Sequence, residues 1–155
     1  MNITLRRLLV PTDFSDASRA AVTYGVAFAE NFGCTLHLLH VLDTVTGADP
    51  LALEIPERST LERSIEAGVW DQLRRVLTSD EQARISVELS IEWGRPVDEI
   101  VRYAKEHAIN LISMGTHNRG GVERILLGSV AEHVVRHAPC PVLTVHSRER
   151  EFITH

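Results

Sequence analysis

The residues best suited to chemistry lie where a glycine-containing loop separates an apolar run from an amphipathic segment. Leu111 to Met114 is a short apolar run ended by Gly115, and Gly128-Ser129 precedes a helical pattern that starts at Val130. Free backbone N–H groups in such a loop, together with those at a helix N-terminus, form a site for phosphate. The same spacing also fits an ordinary strand-to-helix connection in which the glycines only permit positive φ. The pattern alone leaves both interpretations open.

Hydrophobic periodicity predicts the elements that must position this loop. Apolar runs and alternating patterns predict five strands, at positions 7–11, 35–41, 85–93, from 110 and 141–146. Helical spacing predicts four helices, at positions 17–32, 57 to about 78, 96 to about 107 and after 128 to about 137. In the second helix the predicted buried stripe is Leu61, Ile65, Val69, Leu73 and Leu77. The order β-α-β-α-β-α-β-α-β predicts one doubly wound α/β domain over 1–155, with a core of about 5–147 and a charged tail at 148–155.

The loop resembles the nucleotide-binding signature G-x2-G-x9-G-[ST] of the universal stress protein family. Gly115 is followed by two residues, then Asn118, nine residues and Gly128-Ser129. Asn118 stands where the family has its second glycine, and asparagine is the other residue type that tolerates the left-handed conformation best. The resemblance extends from Arg7 to His146 and implies a five-stranded parallel sheet of order 3-2-1-4-5, with helices on both faces.

That strand order brings two distant segments together. Strands 1 and 4 become neighbours whose connections leave in opposite directions, and a crevice opens at their carboxyl ends. Strand 1 ends at Pro11-Thr12-Asp13, and strand 4 ends at Met114-Gly115. A carboxylate such as Asp13 suits ribose hydroxyls or an adenine amino group, because both donate hydrogen bonds. The alternative is that Asp13 caps the helix that follows it.

The resemblance also implies which residues contact an adenine nucleotide. Asp13 and Val41 match the family's adenosine contacts. Six positions match those around the phosphates: Gly115, Asn118, Arg119, Gly128, Ser129 and Val130. His117 lies in the same loop and is a further candidate for phosphate contact, while Pro11, Thr12 and Met114 flank the crevice. The implied ligand is ATP, ADP or AMP, with or without Mg²⁺.

Composition excludes several other classes of protein. The chain has 155 residues and a formal charge of −5 without a basic run, which argues against nucleic-acid binding. Its only lysine is Lys105, so the Gly-Lys-[Ser/Thr] of a Walker loop is absent. No apolar run approaches the ~20 residues of a membrane span. The apolar run after Arg6-Arg7 is too short for a signal peptide, which predicts a cytoplasmic protein.

Cysteine and histidine positions favour structural roles. Cys34 and Cys140 begin strands 2 and 5, which the implied order separates by about 14 Å, whereas a disulfide needs Cα atoms within roughly 7 Å. His133 and His137 share a helix face at a spacing that could hold a metal, but neither an HExxH motif nor a third ligand accompanies them. We therefore expect free buried thiols and no metal site.

Three functional hypotheses follow. The first is an adenine-nucleotide-binding regulator of the universal stress class, with at most slow ATP hydrolysis. The resemblance implies that this protein is a homodimer, which would pair through Pro141–His146 at the edge of the sheet. The second is a dimer of the same fold that binds no nucleotide. The third is an enzyme on a similar sheet. The chain lacks the His-x-Gly-His motif of nucleotidylyltransferases, the Ser-Gly-Gly-x-Asp-Ser motif of ATP-pyrophosphatase-type ligases and the late lysine of response regulators.

Overall fold

The computed structural model describes residues 2–43, 56–116 and 128–146. The loop residues His117, Asn118 and Arg119 therefore lie outside the described residues. The elements in chain order are β1 Arg7–Pro11, α1 Asp16–Phe32, β2 Thr35–Leu42, α2 Pro56–Arg74, α3 Ser79–Arg84, β3 Ser86–Trp93, α4 Pro96–Glu106, β4 Leu111–Thr116, α5 Ser129–His137 and β5 Val142–His146.

The five strands form one parallel sheet in the order β3-β2-β1-β4-β5, which confirms the predicted fold class. β1 and β2 pair from Arg7 opposite Thr35 to Pro11 opposite Leu39. β2 and β3 pair over eight residues, and β3 lies at one edge of the sheet, where its alternating apolar and polar pattern is typical.

Two apolar cores cover the two faces of the sheet. Leu8, Val10 and Leu36 point to the face covered by α1 and α2. Leu9 and Leu39, one residue out of phase, point to the face covered by α4 and α5. Because successive side chains of a strand alternate between the two faces, these residues establish which face each side chain of β1, β2 and β4 points to.

Local chemistry sets both boundaries of α1. Ser15 is the N-cap, and its side chain accepts a hydrogen bond from the Ser18 N–H at 3.2 Å. Gly33 ends the helix in the left-handed conformation, with φ of 64°. At α4, Pro96 occupies the first turn together with Asp98 and Glu99, whose negative charges suit the N-terminal end of a helix.

The prediction for the second helix was partly wrong. α2 ends at Arg74 rather than near Thr78, and Thr78 instead caps the short helix α3, with Glu81 completing a capping box. Leu73 and Leu77 are buried as predicted, but Leu61 and Ile65 of the same stripe are 61% and 43% exposed. Leu77 lies beyond the end of α2, and within the helix the stripe is buried only toward the C-terminal end, at Leu73.

Both cysteines are free thiols: Cys34 is buried and Cys140 is partly buried. The expectation of a buried thiol therefore holds for Cys34 but not fully for Cys140. None of the helices in the described part of the chain is both long enough and apolar enough to cross a membrane.

Candidate functional site

The predicted site residues of strands 1, 2 and 4 converge on the carboxyl edge of the sheet. The pairing offset of β1 and β2 places Val41 level with Asp13, just beyond the end of β1. The offset of β1 and β4 likewise places Met114 level with Pro11. Val41 and Met114 belong to the apolar cluster on the α4 and α5 face, and so does Val130 of α5. Three residues distant in sequence therefore share one apolar surface.

The sheet opens between β1 and β4 at this edge. Their backbone pairing includes Leu8 with Leu111 and Leu9 with Ile112, whereas β1 remains paired with β2 as far as Pro11. The Thr12 N–H donates to the Leu39 carbonyl of β2 at 2.8 Å, so the preceding residue, Pro11, faces β4. Proline has no N–H to donate to that neighbour, and the β1–β4 ladder ends there.

The opposite end of the same strand pair is fastened by Asn110. Its N–H donates to the Arg7 carbonyl at 2.9 Å. Its side-chain oxygen accepts from the N–H groups of Arg6 and Arg7, at 2.9 and 3.0 Å. Joined at the amino end and open at the carboxyl end, β1 and β4 form a wedge-shaped crevice at the topological switch point.

The turn after β1 presents Asp13 at the mouth of the crevice. Asp13 is exposed, and its Oδ1 accepts from the Ser15 N–H at 3.0 Å. Ser15, not Asp13, caps α1, so the alternative role of Asp13 as the helix cap is wrong. Asp13 instead closes a local turn that fixes its own carboxylate beside the crevice.

Phe14 holds this turn in an unusual conformation that the sequence analysis missed. Its φ is +63°, which is costly for a bulky side chain. Its ring stacks on that of His40 with centroids 4.7 Å apart, and the Phe14 N–H donates to Thr12 Oγ1 at 3.1 Å. His40 Nδ1 donates in turn to the Thr12 carbonyl at 2.8 Å. The contact joins the turn after β1 to a residue of β2, and only the strand register could have revealed it.

Gly115 is required for packing. A Cβ atom at this position would lie 2.2 Å from the carbonyl carbon and oxygen of Ala17 and 2.6 Å from the Ser18 nitrogen. Within the described residues the glycines with positive φ are Gly33 and Gly94, so positive φ does not explain Gly115. The absence of a side chain lets the first turn of α1 lie directly against the end of β4.

The other half of the predicted loop places the start of α5 at the crevice. Gly128 is the N-cap with φ of −59°, and it has open space around the position of a Cβ atom. Within the described residues no side-chain hydrogen bond caps α5, so its first N–H groups are available to an anion. Ser129 is exposed and Val130 is half-buried at this end of the helix.

The two histidines of α5 do not form a metal site with a third ligand in the described chain. The rings of His133 and His137 stack 4.2 Å apart, and His137 Nδ1 donates to the His133 carbonyl. Among residues 2–43, 56–116 and 128–146, no group of three or more His, Cys, Asp or Glu side chains has the arrangement of metal ligands.

A doubly wound parallel sheet that opens at its switch point defines a class of α/β proteins that bind ligands at the carboxyl ends of their strands. The sequence profile of the universal stress protein family matches residues 4–146, and the chain belongs to this family.

Related proteins agree with this assignment. A universal stress protein of Methanocaldococcus jannaschii is 34% identical over 146 residues, which make up 94% of this chain and 85% of that protein. The structure of universal stress protein UspA from Lactobacillus plantarum has a TM-score of 0.78 at 31% identity and covers 93% of this chain and 99% of its own. A family protein from Arabidopsis thaliana with AMP bound shares the fold, with a TM-score of 0.63 at 22% identity over 91% of each chain.

Proposed function

We propose that this protein binds an adenine nucleotide in the crevice between β1 and β4 and acts as a stress-response regulator. The observation that carries the proposal is the wedge itself. An exposed carboxylate, Asp13, flanks one side. The N-terminus of α5, which no side chain caps within the described residues, lies on the other, with apolar side chains between them.

Each part of the crevice suits a different part of the nucleotide. The half-buried Val41, which packs in the same apolar cluster as Met114, offers an apolar surface to the adenine ring. The Asp13 carboxylate accepts hydrogen bonds from the ribose hydroxyls or the adenine amino group. The N–H groups at Ser129 and Val130 suit the negative charge of the phosphates. This arrangement would accept ATP, ADP or AMP, and the fold holds AMP in the Arabidopsis protein.

We propose binding and signalling rather than rapid turnover. Hydrolysis needs a group that orients water, and a metal ligand beside the terminal phosphate. Asp13 is assigned to the adenosine end, so it would serve neither purpose, and at most slow hydrolysis is expected.

The first test is to identify the nucleotide carried by the purified protein. The protein would be denatured, its supernatant analysed by ion-pair chromatography, and the stripped protein titrated with ATP, ADP and AMP. Asp13→Ala is expected to weaken the affinity for ATP about tenfold or more, because it removes a hydrogen bond to a charged group. Asp16→Ala is the control, since Asp16 is also exposed but lies in the first turn of α1. Absence of bound nucleotide and of affinity up to millimolar ATP would refute the proposal.

We also propose that the protein is a homodimer that pairs through Pro141–His146. β5 lies at the edge of the sheet. The Ile112 N–H donates to the Pro141 carbonyl at 3.0 Å, so alternate residues from Pro141 face β4, and the Thr144 N–H points outward. Thr144→Pro removes that outward donor without disturbing the β4 ladder. Light scattering is expected to show a dimer for the wild type and a monomer for this variant, and a dimer of both would contradict the interface.

A further inference from the structure

A second cavity lies on the other face of the sheet, between α1 and the C-terminal end of α2. Its volume is about 380 Å³. Its lining combines hydroxyl, amide, guanidinium and apolar side chains: Thr12, Phe14, Ser15, Ser18, Arg19, Val22, Gln72, Arg75 and Val76.

This cavity is separate from the crevice proposed for the nucleotide. Val22 and Val76 belong to the core between the sheet and helices α1 and α2. Val41, Met114 and Val130 belong to the core on the opposite face. Of the predicted nucleotide-site residues that the structure describes, Thr12 alone also lines this cavity.

The two arginines of the cavity differ from most others in the described chain. Arginines 74, 84, 95, 102 and 136 each form an ion pair with a carboxylate. For Arg19 and Arg75, neither guanidinium has a carboxylate partner within the described residues. Two guanidinium groups that have no carboxylate partner in residues 2–43, 56–116 and 128–146 therefore line one cavity in a chain whose formal charge is −5.

The rest of the lining can accommodate a ligand with a polar and an apolar end. Thr12 and Ser18 are 6% and 5% exposed, and their hydroxyl oxygens lie 3.1 Å apart. Gln72 adds an amide beside Arg75. Val22, Val76 and the Phe14 ring provide apolar surface alongside these polar groups.

We propose that this cavity binds a small organic anion, a phosphate monoester or carboxylate with a compact apolar group. The guanidinium fork matches the oxygens of both anions and forms charge-assisted hydrogen bonds with either. The apolar wall would exclude water from the remainder of the ligand. This site goes beyond the proposed nucleotide site and does not depend on it.

The test is a titration of the full chain with phenyl phosphate, followed through backbone amide signals in ¹H–¹⁵N NMR spectra. Saturable shifts are expected at Ser18, Val22 and Val76, with little change at Ser129 and Val130. The double variant Arg19→Gln/Arg75→Gln is expected to weaken the affinity at least about tenfold, because each arginine supplies a charge-assisted contact. Arg6→Gln is the control, since Arg6 is exposed and does not line the cavity.

Parallel titrations with benzoate and benzyl alcohol separate charge from ring binding. If the site accepts carboxylates, benzoate is expected to shift the same amide signals. If the site selects phosphate, only phenyl phosphate is expected to shift them. Three results would overturn the proposal: no saturation up to about 10 mM phenyl phosphate, equal affinity for benzyl alcohol, or shifts confined to Ser129 and Val130. Since the ATP titration reports on the other face of the sheet, failure of one proposal is distinguishable from failure of the other.

Discussion

Replacing Gly115 with alanine is expected to destabilise the junction between β4 and α1. The added Cβ atom would lie 2.2 Å from the carbonyl carbon and oxygen of Ala17 and 2.6 Å from the nitrogen of Ser18. These are backbone atoms, which cannot rotate away as the end of a side chain can. The first turn of α1 must therefore move off the sheet, and the Ser15 cap and the Asp13 turn would move with it.

The size of the effect follows from this contact. Overpacking a core costs about 1–3 kcal/mol and occasionally more. Since the clash is with backbone on a helix that packs along the sheet, we expect a loss of about 3 kcal/mol in the free energy of unfolding. In a domain of this size that corresponds to a fall in Tm of about 6–12 °C.

Urea unfolding of the nucleotide-free protein measures this loss, and two other glycines provide matched controls. Gly68→Ala and Gly128→Ala add the same atom where, within the described residues, no atom lies within 4 Å apart from the adjoining residues and the local helix backbone. Gly68→Ala is expected to stabilise α2 by up to about 1 kcal/mol, and Gly128→Ala to change stability by less than about 0.5 kcal/mol. If Gly115→Ala lost ATP affinity but less than about 1 kcal/mol of stability, Gly115 would serve only phosphate approach, and the packing argument would be refuted.

Three further predictions concern single side chains. Burial lowers the pKa of His37, opposed by attraction to Glu88 and reinforced by His107 and Arg7. The unfolded chain then binds a proton that the folded chain excludes, so the free energy of unfolding should fall as pH drops below about 6.5, by at most about 1.4 kcal/mol per pH unit. Urea unfolding at about pH 7.5 and 5.5 should show a smaller fall for His37→Phe than for the wild type. An equal fall in both would contradict this role of His37. Phe14→Val should be about 1 kcal/mol less stable than Phe14→Gly and bind ATP more weakly, because a β-branched residue resists the φ of +63°. Equal unfolding curves for the two variants would show that the backbone at position 14 is not strained. Burial raises the pKa of the Cys34 thiol, so Cys34 should react slowly with Ellman's reagent in the folded protein. In urea, two thiols should react. Rapid modification of Cys34 in the folded protein would contradict its burial.

The elements of the fold were largely predictable because local chemistry determines them. Ser15 and Gly33 delimit α1 through capping and the left-handed conformation, whatever the rest of the chain does. The strand order was not available from periodicity and came only with the family resemblance. Periodicity shows which residues share a helix face, but Leu61 and Ile65 show that it does not establish whether another element covers that face.

The site was predictable where a residue type carries its own chemistry. The position of Asp13 after a buried strand predicted a ligand contact, and the loop spacing predicted that Gly115 either lies beside phosphate or permits positive φ. The cause at Gly115 could not be predicted, because the atoms that exclude a Cβ belong to Ala17 and Ser18, nearly one hundred positions earlier. The Phe14–His40 stack depends likewise on the β1–β2 register.

The hydrogen bonds that Asn110 forms with Arg6 and Arg7 have a consequence for how the protein folds. It joins residues separated by 104 positions, so its formation closes a loop that contains β2, β3 and the helices between them. Closing so long a loop carries an entropic cost before any contact compensates it, and such contacts slow folding. The crevice exists only after this closure, since Asp13 and Val41 come from the first half of the chain and Met114 and Val130 from the second. A nucleotide bound there would therefore associate with the closed chain and shift the folding equilibrium toward it. Occupancy of the crevice would then determine how often the two halves of the sheet separate.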